Sequence, residues 1–464
     1  MGAPAIIDIG AVVEKQKLSK FLVRLIVISW IVTFFDGFDT YVIAFAAPYM
    51  ATHFHLSKLM VGNMFSAGVF GTVFGAFLFG YIGDRIGRRL AIILATAGFG
   101  AATFALALAT GYTYLLVVRF IAGIFIGGFL PLIWALNIEY APKRYRSTLV
   151  TLNMVGYSFG VISGGPTAIL LIPRFGWQSV FVFGGGLTVL AAVVLIGVLP
   201  ESIRFLASKR SRPDLIAQIV KRIAPEQAVS GAEFVLADEG GQGRRSFNPK
   251  LLFAGELRWI TPLLWIGYAG SSLTTHFISN WTPMFFEAMK FTRADAAWAA
   301  SLSQFTAVLG SVALMRFTDN KGAIAVTVMP AVTVPLMLIA GLLAFGHGTF
   351  FVFYALIVTF VIGGQNGMHS IAGVFYPSAY RSNGAGWASA MSKIGATFGP
   401  ILGGLIMSTK LPTHNVLAVL AIFPVVMGVC VFTLGRIHKR ILWREALEAP
   451  AEPALAQAAT AQHD

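Results

Sequence analysis

Residues 80–89 read Gly80-Tyr81-Ile82-Gly83-Asp84-Arg85-Ile86-Gly87-Arg88-Arg89, a short charged segment between two long apolar runs. These runs cover residues 60–82 and 90–109, and each has about the 20 residues that a helix needs to cross a bilayer. Hydrocarbon offers the backbone no hydrogen-bond partners, so spans of this length are helices rather than irregular segments. Residues 80–89 are therefore predicted to contain a tight, basic connection between two membrane-spanning helices.

The composition extends this interpretation to the whole chain. Of 464 residues, 56% are hydrophobic and 12% are charged, whereas a soluble domain is about 45–50% apolar and about 25% charged. This balance excludes a large soluble protein and a disordered chain. Cys430 is the only cysteine, which excludes a disulfide scaffold, and its apolar neighbourhood predicts a small buried side chain.

Apolar runs of this kind recur along the chain and predict an all-α membrane protein with twelve transmembrane helices in two six-helix bundles. The predicted spans are 22–47, 60–82, 90–109, 112–139, 148–172, 178–199, 258–283, 294–317, 322–346, 349–375, 384–408 and 414–435.

The basic residues predict the orientation. Of the 34 Lys and Arg residues, 27 fall on one side of this topology and five on the other. Positive residues accumulate on the cytoplasmic side, so both termini are expected there, in the inner or plasma membrane. The net charge of +14 is thus explained by topology and not by a nucleic-acid partner. Because Asp8 and Glu14 lie near the start, we expect no removable signal peptide.

Composition also divides the chain. The predicted domains are a cytoplasmic N-terminal segment (1–21), a first bundle (22–199), a cytoplasmic central loop rich in proline, glycine and charge (200–257), a second bundle (258–435) and a cytoplasmic tail expected to be disordered (436–464).

The two halves share three motifs at a nearly constant offset, which indicates an internal duplication. The matching pairs are 84–87 with 319–322, 142–147 with 377–382, and 156–165 with 395–404. Because each half has an even number of spans, the copies have the same orientation. Transporters built from such repeats hold their binding site between the bundles near the midplane and alternate its access by rocking.

Residues 80–89 resemble the loop signature G-x-x-x-D-R/K-x-G-R/K-R/K of the major facilitator superfamily. Asp36-Gly37-Phe38-Asp39 resembles the D-G-F/Y-D signature of its aromatic acid:proton symporters, and residues 200–206 are similar to a P-E-S-x-R-F-L pattern found there. Residues 386–396 resemble the family's span-eleven pattern, in which the position of Lys393 is usually Arg. The resemblance implies import of benzoate-, hydroxybenzoate- or muconate-like carboxylates with protons.

Charges inside the predicted spans are candidate functional groups, because each costs about 2.5–3.5 kcal/mol to insert. Asp36 and Asp39 share one face of span one, about 21 and 25 Å along the helix. Arg119 lies at a comparable depth in span four. We expect a proton and substrate site in which a substrate carboxylate on Arg119 frees an aspartate to bind a proton. The alternative is a fixed ion pair that holds the two spans together.

Other polar residues within spans are weaker candidates for substrate contact. Lys393, near the midplane of span eleven, is expected either to bind the substrate carboxylate or to be paired internally. For the remaining group, an interhelical hydrogen bond is the main alternative. Its members are His276, Gln304, Gln365, Asn366 and His369.

The family resemblance also implies a gate of charged and glycine residues at the cytoplasmic ends of the spans. Positive-inside topology is the alternative explanation of the basic members. The candidate gate residues are Gly80, Asp84, Arg85, Gly87, Arg88, Arg89, Glu139, Arg146 and Arg381.

No catalytic motif competes with transport. The sequence has no H-E-x-x-H, no phosphate-binding G-x-x-x-x-G-K-S/T and no paired-cysteine metal site. We expect no cofactor or metal, an ion gradient as the energy source and a functional monomer. The alternatives are an exporter or uniporter of the same fold, a carrier of aliphatic acids or sugars, and a membrane sensor or enzyme.

Overall fold

The computed structural model describes residues 6–16, 19–209, 212–224, 233–236, 249–321, 326–376 and 381–448. Parts of the predicted central loop, Gly322, residues 377–380 of the repeat and most of the predicted tail lie outside these ranges.

The first half contains six long helices that follow the apolar runs. They are α2 (Lys20–His53), α3 (Lys58–Ile86), α4 (Arg88–Leu106), α5 (Tyr112–Tyr140), α6 (Lys143–Phe175) and α7 (Gln178–Val198). Ser19 and Ser57 cap α2 and α3 by accepting hydrogen bonds from the backbone amides of Leu22 and Met60. Gly87 has a φ of 100°, a value that glycine adopts without strain, and this sharp bend separates α3 from α4.

The second half repeats the pattern with α10 (Leu257–Ala288), α11 (Arg293–Lys321), α12 (Val328–Leu342), α13 (His347–Phe375), α14 (Arg381–Met407), α15 (Asn415–Leu420) and α16 (Ile422–Glu448). Ten helices in the described part of the chain are long and apolar enough to cross a membrane, so this is a multi-pass membrane protein. They do not include α10 or the 15-residue α12. The buried middle of α10 is rich in Ser, Thr and Asn, which lowers its mean hydropathy.

The helix packing follows the duplication predicted from the sequence. In the first half α2 packs on α6, α3 on α5 and α4 on α7; in the second, α10 packs on α14, α11 on α13 and α12 on α15 and α16. The repeated glycines allow two of these close approaches. A Cβ on Gly160 would collide with the carbonyl of Phe34 in α2, and one on Gly399 would lie 2.5 Å from the carbonyl of Leu273 in α10.

Short elements close the first half on the side where both described chain ends lie, here called the termini side. They are β1 (Ile6–Asp8), α1 (Ile9–Lys15), α8 (Ile203–Ser208), α9 (Pro213–Ile223) and β2 (Glu233–Val235); a 3₁₀ turn (Pro249–Phe253) precedes α10. The strands pair in parallel, with Ile6 opposite Glu233. Apolar side chains of α1 and α9 pack into the same core as the ends of α2 and α5. The start of the chain and part of the central loop thus form an ordered cap.

The two halves are joined on the opposite side, here called the far side. One apolar core contains side chains from the far-side ends of both halves. A Cβ on Gly404 of α14 would lie 2.7 Å from the carbonyl of Lys58 in α3, and one on Gly62 would lie 2.5 Å from the carbonyl of Pro400. On the termini side, the described apolar residues of the two halves form separate cores. The cleft between the bundles is therefore closed on the far side and open toward the termini side.

Candidate functional site

Asp36 and Lys393 lie on opposite halves, within electrostatic reach of each other. Asp36, on α2, is fully buried, and neither carboxylate oxygen has a hydrogen-bond partner among the described residues. The charges that act on it are those of Asp39 and Lys393. Lys393 is solvent-exposed although it lies in the middle of α14, which contacts α3 across the interface between the halves. Because its charge also acts on Asp36 of the opposite half, we assign its exposed surface to the cleft. A cation from one half and an anion from the other thus act on each other across the interface, although among the described residues they do not form a direct ion pair.

Asp39 and Arg119 form a different charge couple, contained within the first half. The Oδ2 atom of Asp39 accepts a hydrogen bond from the Thr188 hydroxyl of α7 at 3.0 Å. Arg119, on α5, is 4% exposed and acts electrostatically on Asp39. Among the described residues these two do not approach as a direct ion pair, and the Nε of Arg119 has no hydrogen-bond partner.

Two glycines provide the space for this second couple. A Cβ on Gly68 of α3 would lie 2.8 Å from an Nη atom of Arg119, and a Cβ on Gly184 of α7 would lie 2.5 Å from Oδ1 of Asp39. The sequence alone predicts one cavity that both aspartates share with Arg119. In the structure, Arg119 acts on Asp39, whereas the cation that acts on Asp36 is Lys393 of the other half.

Among the other polar candidates of the second half, two histidines lie near Lys393 and one glutamine links two helices. His276 and His369 both lie within the electrostatic reach of Lys393. The ring of His276 is hydrogen-bonded to the Ser272 carbonyl of its own helix at 3.0 Å, and His369 makes an edge contact with the Tyr268 ring. The Gln304 amide donates to the Ser279 hydroxyl at 3.2 Å, which links α11 to α10.

Asn366 and Gln365 occupy adjacent positions on α13. Asn366 is exposed and Gln365 is half-buried. The interhelical hydrogen bond expected for polar residues in spans is thus found for Gln304, while Asn366 and Lys393 present exposed polar surface.

A network of charged side chains ties the termini-side ends of the first half together. Arg88, at the start of α4, forms an ion pair with Glu139 near the end of α5 at 2.5 Å. The Ser202 hydroxyl also donates to Glu139. The charge of Arg204 acts on the same carboxylate. Glu139 is 8% exposed, so this pair is sheltered from water and weakened less by salt than a surface pair.

Glu201 caps the N-terminus of α4. Its Oε1 accepts hydrogen bonds from the amides of Arg89 at 3.0 Å and Ser202 at 2.8 Å. A carboxylate at this place is favoured by the exposed amides and dipole of the helix. A Cβ on Gly87 would occupy the position of this carboxylate, so the glycine serves the cap as well as the bend. The hydroxyl of Tyr140 donates to the Glu201 carbonyl.

Glu201, Ser202 and Tyr140 were not among the predicted site residues. Glu201 and Ser202 belong to the P-E-S segment at residues 200–202, which the sequence analysis used only as a family resemblance. The signal that would have found them is the loop signature itself, because a helix that begins at Arg88 after a glycine leaves its first amides in need of an acceptor.

The remaining gate candidates are less constrained. Asp84 and Arg85 are exposed, with the Arg85 guanidinium 4.7 Å from the ring centroid of Tyr81. Arg146 donates from Nε to the carbonyl of Ala141 at 3.1 Å. Arg381 is exposed in the first turn of α14.

Gly80 is also exposed, and among the described residues a Cβ there would meet no atom within 4 Å. The structure therefore joins the Arg88–Glu139 part of the predicted gate, with Asp84 lining the same cavity, whereas Gly80 and Arg381 are exposed.

Solved structures share this fold. The chain superimposes on a D-xylose–proton symporter with a TM-score of 0.67 and 17% identity, covering 89% of this chain and 98% of that one. For the nucleoside transporter NupG the TM-score is 0.68 with 15% identity, covering 89% and 100%.

Curated relatives extend the similarity to sequence. The 4-hydroxybenzoate transporter PcaK of Pseudomonas putida is 30% identical over 427 residues, covering 90% of this chain and 93% of that protein. The PcaK protein of Pseudomonas aeruginosa is 31% identical over 428 residues, with the same shares. The 3-(3-hydroxy-phenyl)propionate transporter of Escherichia coli is 30% identical over 431 residues, covering 91% and 96%.

The family comparison gives one further match. The sequence profile of the Major Facilitator Superfamily matches residues 29–380, which run from the first span through the tenth. Together with the two-bundle fold and the loop at residues 80–89, this match identifies the chain as a member of the major facilitator superfamily.

Proposed function

We propose that this protein imports aromatic carboxylates of the benzoate and hydroxybenzoate type together with protons, by alternating access. The observation that carries the proposal is the pair of cations, Arg119 and Lys393, held inside the membrane region of a transporter fold. A membrane-embedded cation suits an anionic substrate better than a sugar or a cation. Relatives that transport 4-hydroxybenzoate, gallate and benzoate support the aromatic class.

The open end of the cleft is the proposed cytoplasmic end. The bias of basic residues, 27 to five, supports placing the termini side in the cytoplasm of a cell membrane. The open cleft then faces the cytoplasm, and the far side, with its shared core, is the closed outer end. We propose that the protein works as a monomer, because both six-helix bundles and the cleft belong to one chain.

Lys393 and Asp36 connect substrate binding with proton binding. A substrate carboxylate in the cleft would bind the exposed ammonium of Lys393 and compete with Asp36 for its charge. The Asp36 carboxylate would then lie buried without a hydrogen bond or a counter-charge, a state in which the charged form is costly. Proton uptake relieves this cost. The loaded site then carries a paired substrate and a neutral aspartate.

The charged residues of the termini side form the proposed cytoplasmic gate. The Arg88–Glu139 pair and the Glu201 cap make the ends of α4, α5 and α8 into one rigid surface. Asp84 and Arg381 stand on opposite halves and are proposed to approach when this side closes.

Uptake into proteoliposomes tests the proposal. Purified protein should accumulate labelled 4-hydroxybenzoate when an inward proton gradient is imposed, and accumulation should vanish when a protonophore dissipates the gradient. The carboxamide of the same acid should neither accumulate nor compete, because it lacks the charge that binds a cation. Accumulation that does not depend on the proton gradient, or equal inhibition of uptake by the acid and by its amide, would contradict the proposal.

The proposed contact of Arg119 with the substrate can be tested by a substitution that keeps its charge but changes its geometry. Its planar guanidinium can hold a carboxylate through two parallel hydrogen bonds, whereas lysine carries a point charge on a flexible stem. If substrate also contacts Arg119, Arg119→Lys should keep expression but lose much of the affinity in competition assays. Unimpaired affinity would assign recognition to Lys393 alone.

A further inference from the structure

The two aspartates of α2 differ in what holds them. Asp39 has a hydrogen bond from Thr188, a cation in Arg119 and a close wall at Gly184, and Gly68 lies against Arg119. All of these groups belong to the first half. Asp36 has no hydrogen bond within the described part of the chain, and the cation that acts on it belongs to the second half.

Alternating access moves one half relative to the other. A charge couple within one half keeps its geometry during that motion, so its energy changes little between the outward and inward states. A couple between halves changes its separation, and its proton affinity is thereby linked to the conformation. Only a group whose interactions differ between two states can shift their equilibrium. This condition applies to Asp36 and Lys393.

Few other titratable or charged groups influence the protonation of Asp36. The titratable or charged groups that act with it are Asp39 and Tyr41 on its own helix, Tyr157 on α6 and Lys393 on α14. The two tyrosine rings contact each other edge to face, with centroids 6.4 Å apart. Both rings are neutral at physiological pH. Lys393 is therefore the cation whose distance from Asp36 depends on the conformation.

We infer that Asp36 is the proton carrier, whereas Asp39 is a positioning residue that fixes Arg119, with Gly68 and Gly184 as further positioning residues. The inference rests on the proposed function and divides a task that the sequence assigned to both aspartates. Asp39 acts through its charge, which offsets the cost of burying the Arg119 guanidinium in the wall of the site without a direct ion pair. Gly184 keeps open the space in which the Asp39 carboxylate lies, and Gly68 does the same for Arg119.

Two transport modes separate these roles. Exchange of internal for external substrate requires binding and rocking but no net proton movement, whereas accumulation requires both. Asp36→Asn should retain exchange, lose accumulation and lose the pH dependence of uptake. Asp39→Asn should lose exchange and accumulation together, because the buried Arg119 then loses its counter-charge. Accumulation by Asp36→Asn, or exchange without accumulation in Asp39→Asn, would overturn the inference.

Conservative variants guard against a simple folding defect. Asp36→Glu retains a titratable group and should keep accumulation. Asp39→Glu should not, because one more methylene collides with the wall at Gly184. Restored accumulation in Asp39→Glu but not in Asp36→Glu would reverse the two roles.

Helix α7 offers a matched pair for the positioning claim. A Cβ at Gly184 would press on Asp39, while a Cβ at Gly186, two residues further, would meet no atom within 4 Å. Gly184→Ala should lower substrate affinity about tenfold or more, since small displacements of a binding group are costly. Gly186→Ala should behave as wild type. Equal behaviour of the two variants would remove Gly184 from the site.

The wild-type protein keeps this test distinct from that of the proposed function. Absence of proton-driven accumulation by wild type would reject the proposed function. Normal wild-type accumulation with the variant results exchanged would reject only the division of roles.

Discussion

The two ends of the α3–α14 interface differ, although both carry glycines. On the far side, Gly62 and Gly404 lie against the backbone of the opposite helix. On the termini side, no atom of the described residues lies within 4 Å of a Cβ position at Gly80 or Gly386. Eighteen residues separate the glycines on each helix, which is five turns of about 3.6 residues. Each helix thus has two glycines on the same face, one that contacts the opposite helix and one that does not.

This difference suggests how the interface serves two conformations. In the state described here, the far-side glycines are in contact with the opposite helix. The termini-side glycines are free to make such a contact in the opposite state. Substitutions at the two ends should therefore have opposite effects on which side of the cleft is open.

The largest effect is expected from Gly404→Leu. The added side chain cannot fit beside the Lys58 carbonyl, so the far side should stay open and transport should be lost. Gly386→Leu should instead prevent closure of the termini side. Thiol labelling of Leu59→Cys in a Cys430→Ser background, which removes the only native cysteine, measures the opening. Labelling should rise with Gly404→Leu and fall with Gly386→Leu. The same change in both variants would contradict the comparison.

Asp84→Asn should strongly slow transport and largely spare substrate binding. Asp84 lies one turn beyond Gly80 on α3, away from Asp36 and Asp39, and is exposed in this conformation. Its proposed role is to meet the start of α14, near Arg381, when the termini side closes. Binding affinity and uptake rate, measured on the same preparation, decide this. A variant with normal flux and lost affinity would exclude a gate role.

Glu201→Gln tests the rigidity of the first half. The amide can still accept a hydrogen bond from the α4 amides but loses the charge that the helix N-terminus favours. The loss should be about 0.3–2 kcal/mol, seen as a lower thermal unfolding midpoint in detergent. Ser57→Ala, at the cap of α3 on the far side, provides a comparison that leaves the termini side unchanged. A Glu201→Gln protein as stable as wild type would show that the cap does not stabilise this conformation.

The smallest effect is expected from Gly80→Ala. Its methyl group meets no neighbour here, so folding and substrate affinity should stay as in wild type. Turnover should fall moderately, because the methyl obstructs the contact needed by the opposite state. Gly62→Ala is the matched variant, and it should weaken the far-side contact. Unchanged turnover in Gly80→Ala would mean that α3 and α14 do not meet at this glycine.

Much of the fold could be predicted because hydropathy and the spacing of apolar runs determine spanning helices locally. The span at 258–283 was predicted although the polar middle of α10 lowers its hydropathy. The cap formed by β1, α1, α9 and β2 could not be predicted, since its segments are short and their pairing joins residues more than 200 positions apart.

The sequence names the members of the proposed site but not their pairing. Asp36, Asp39, Arg119 and Lys393 stand out because charges are rare in spans. Depth along a helix placed Arg119 near both aspartates, but it carries no information about rotation or about the approach of the second half. Glu201 was missed because a capping carboxylate resembles any surface acid in sequence.

The pairing of β1 with β2 has a consequence for synthesis of the chain. The first strand finds its partner only after residue 233 has left the ribosome, by which time all six helices of the first half have been made. The strand pairing thus joins the beginning and the end of the first half before the second half is synthesised. A gene divided after Leu236 should therefore yield two polypeptides, of which the first folds in the bilayer and then assembles with the second.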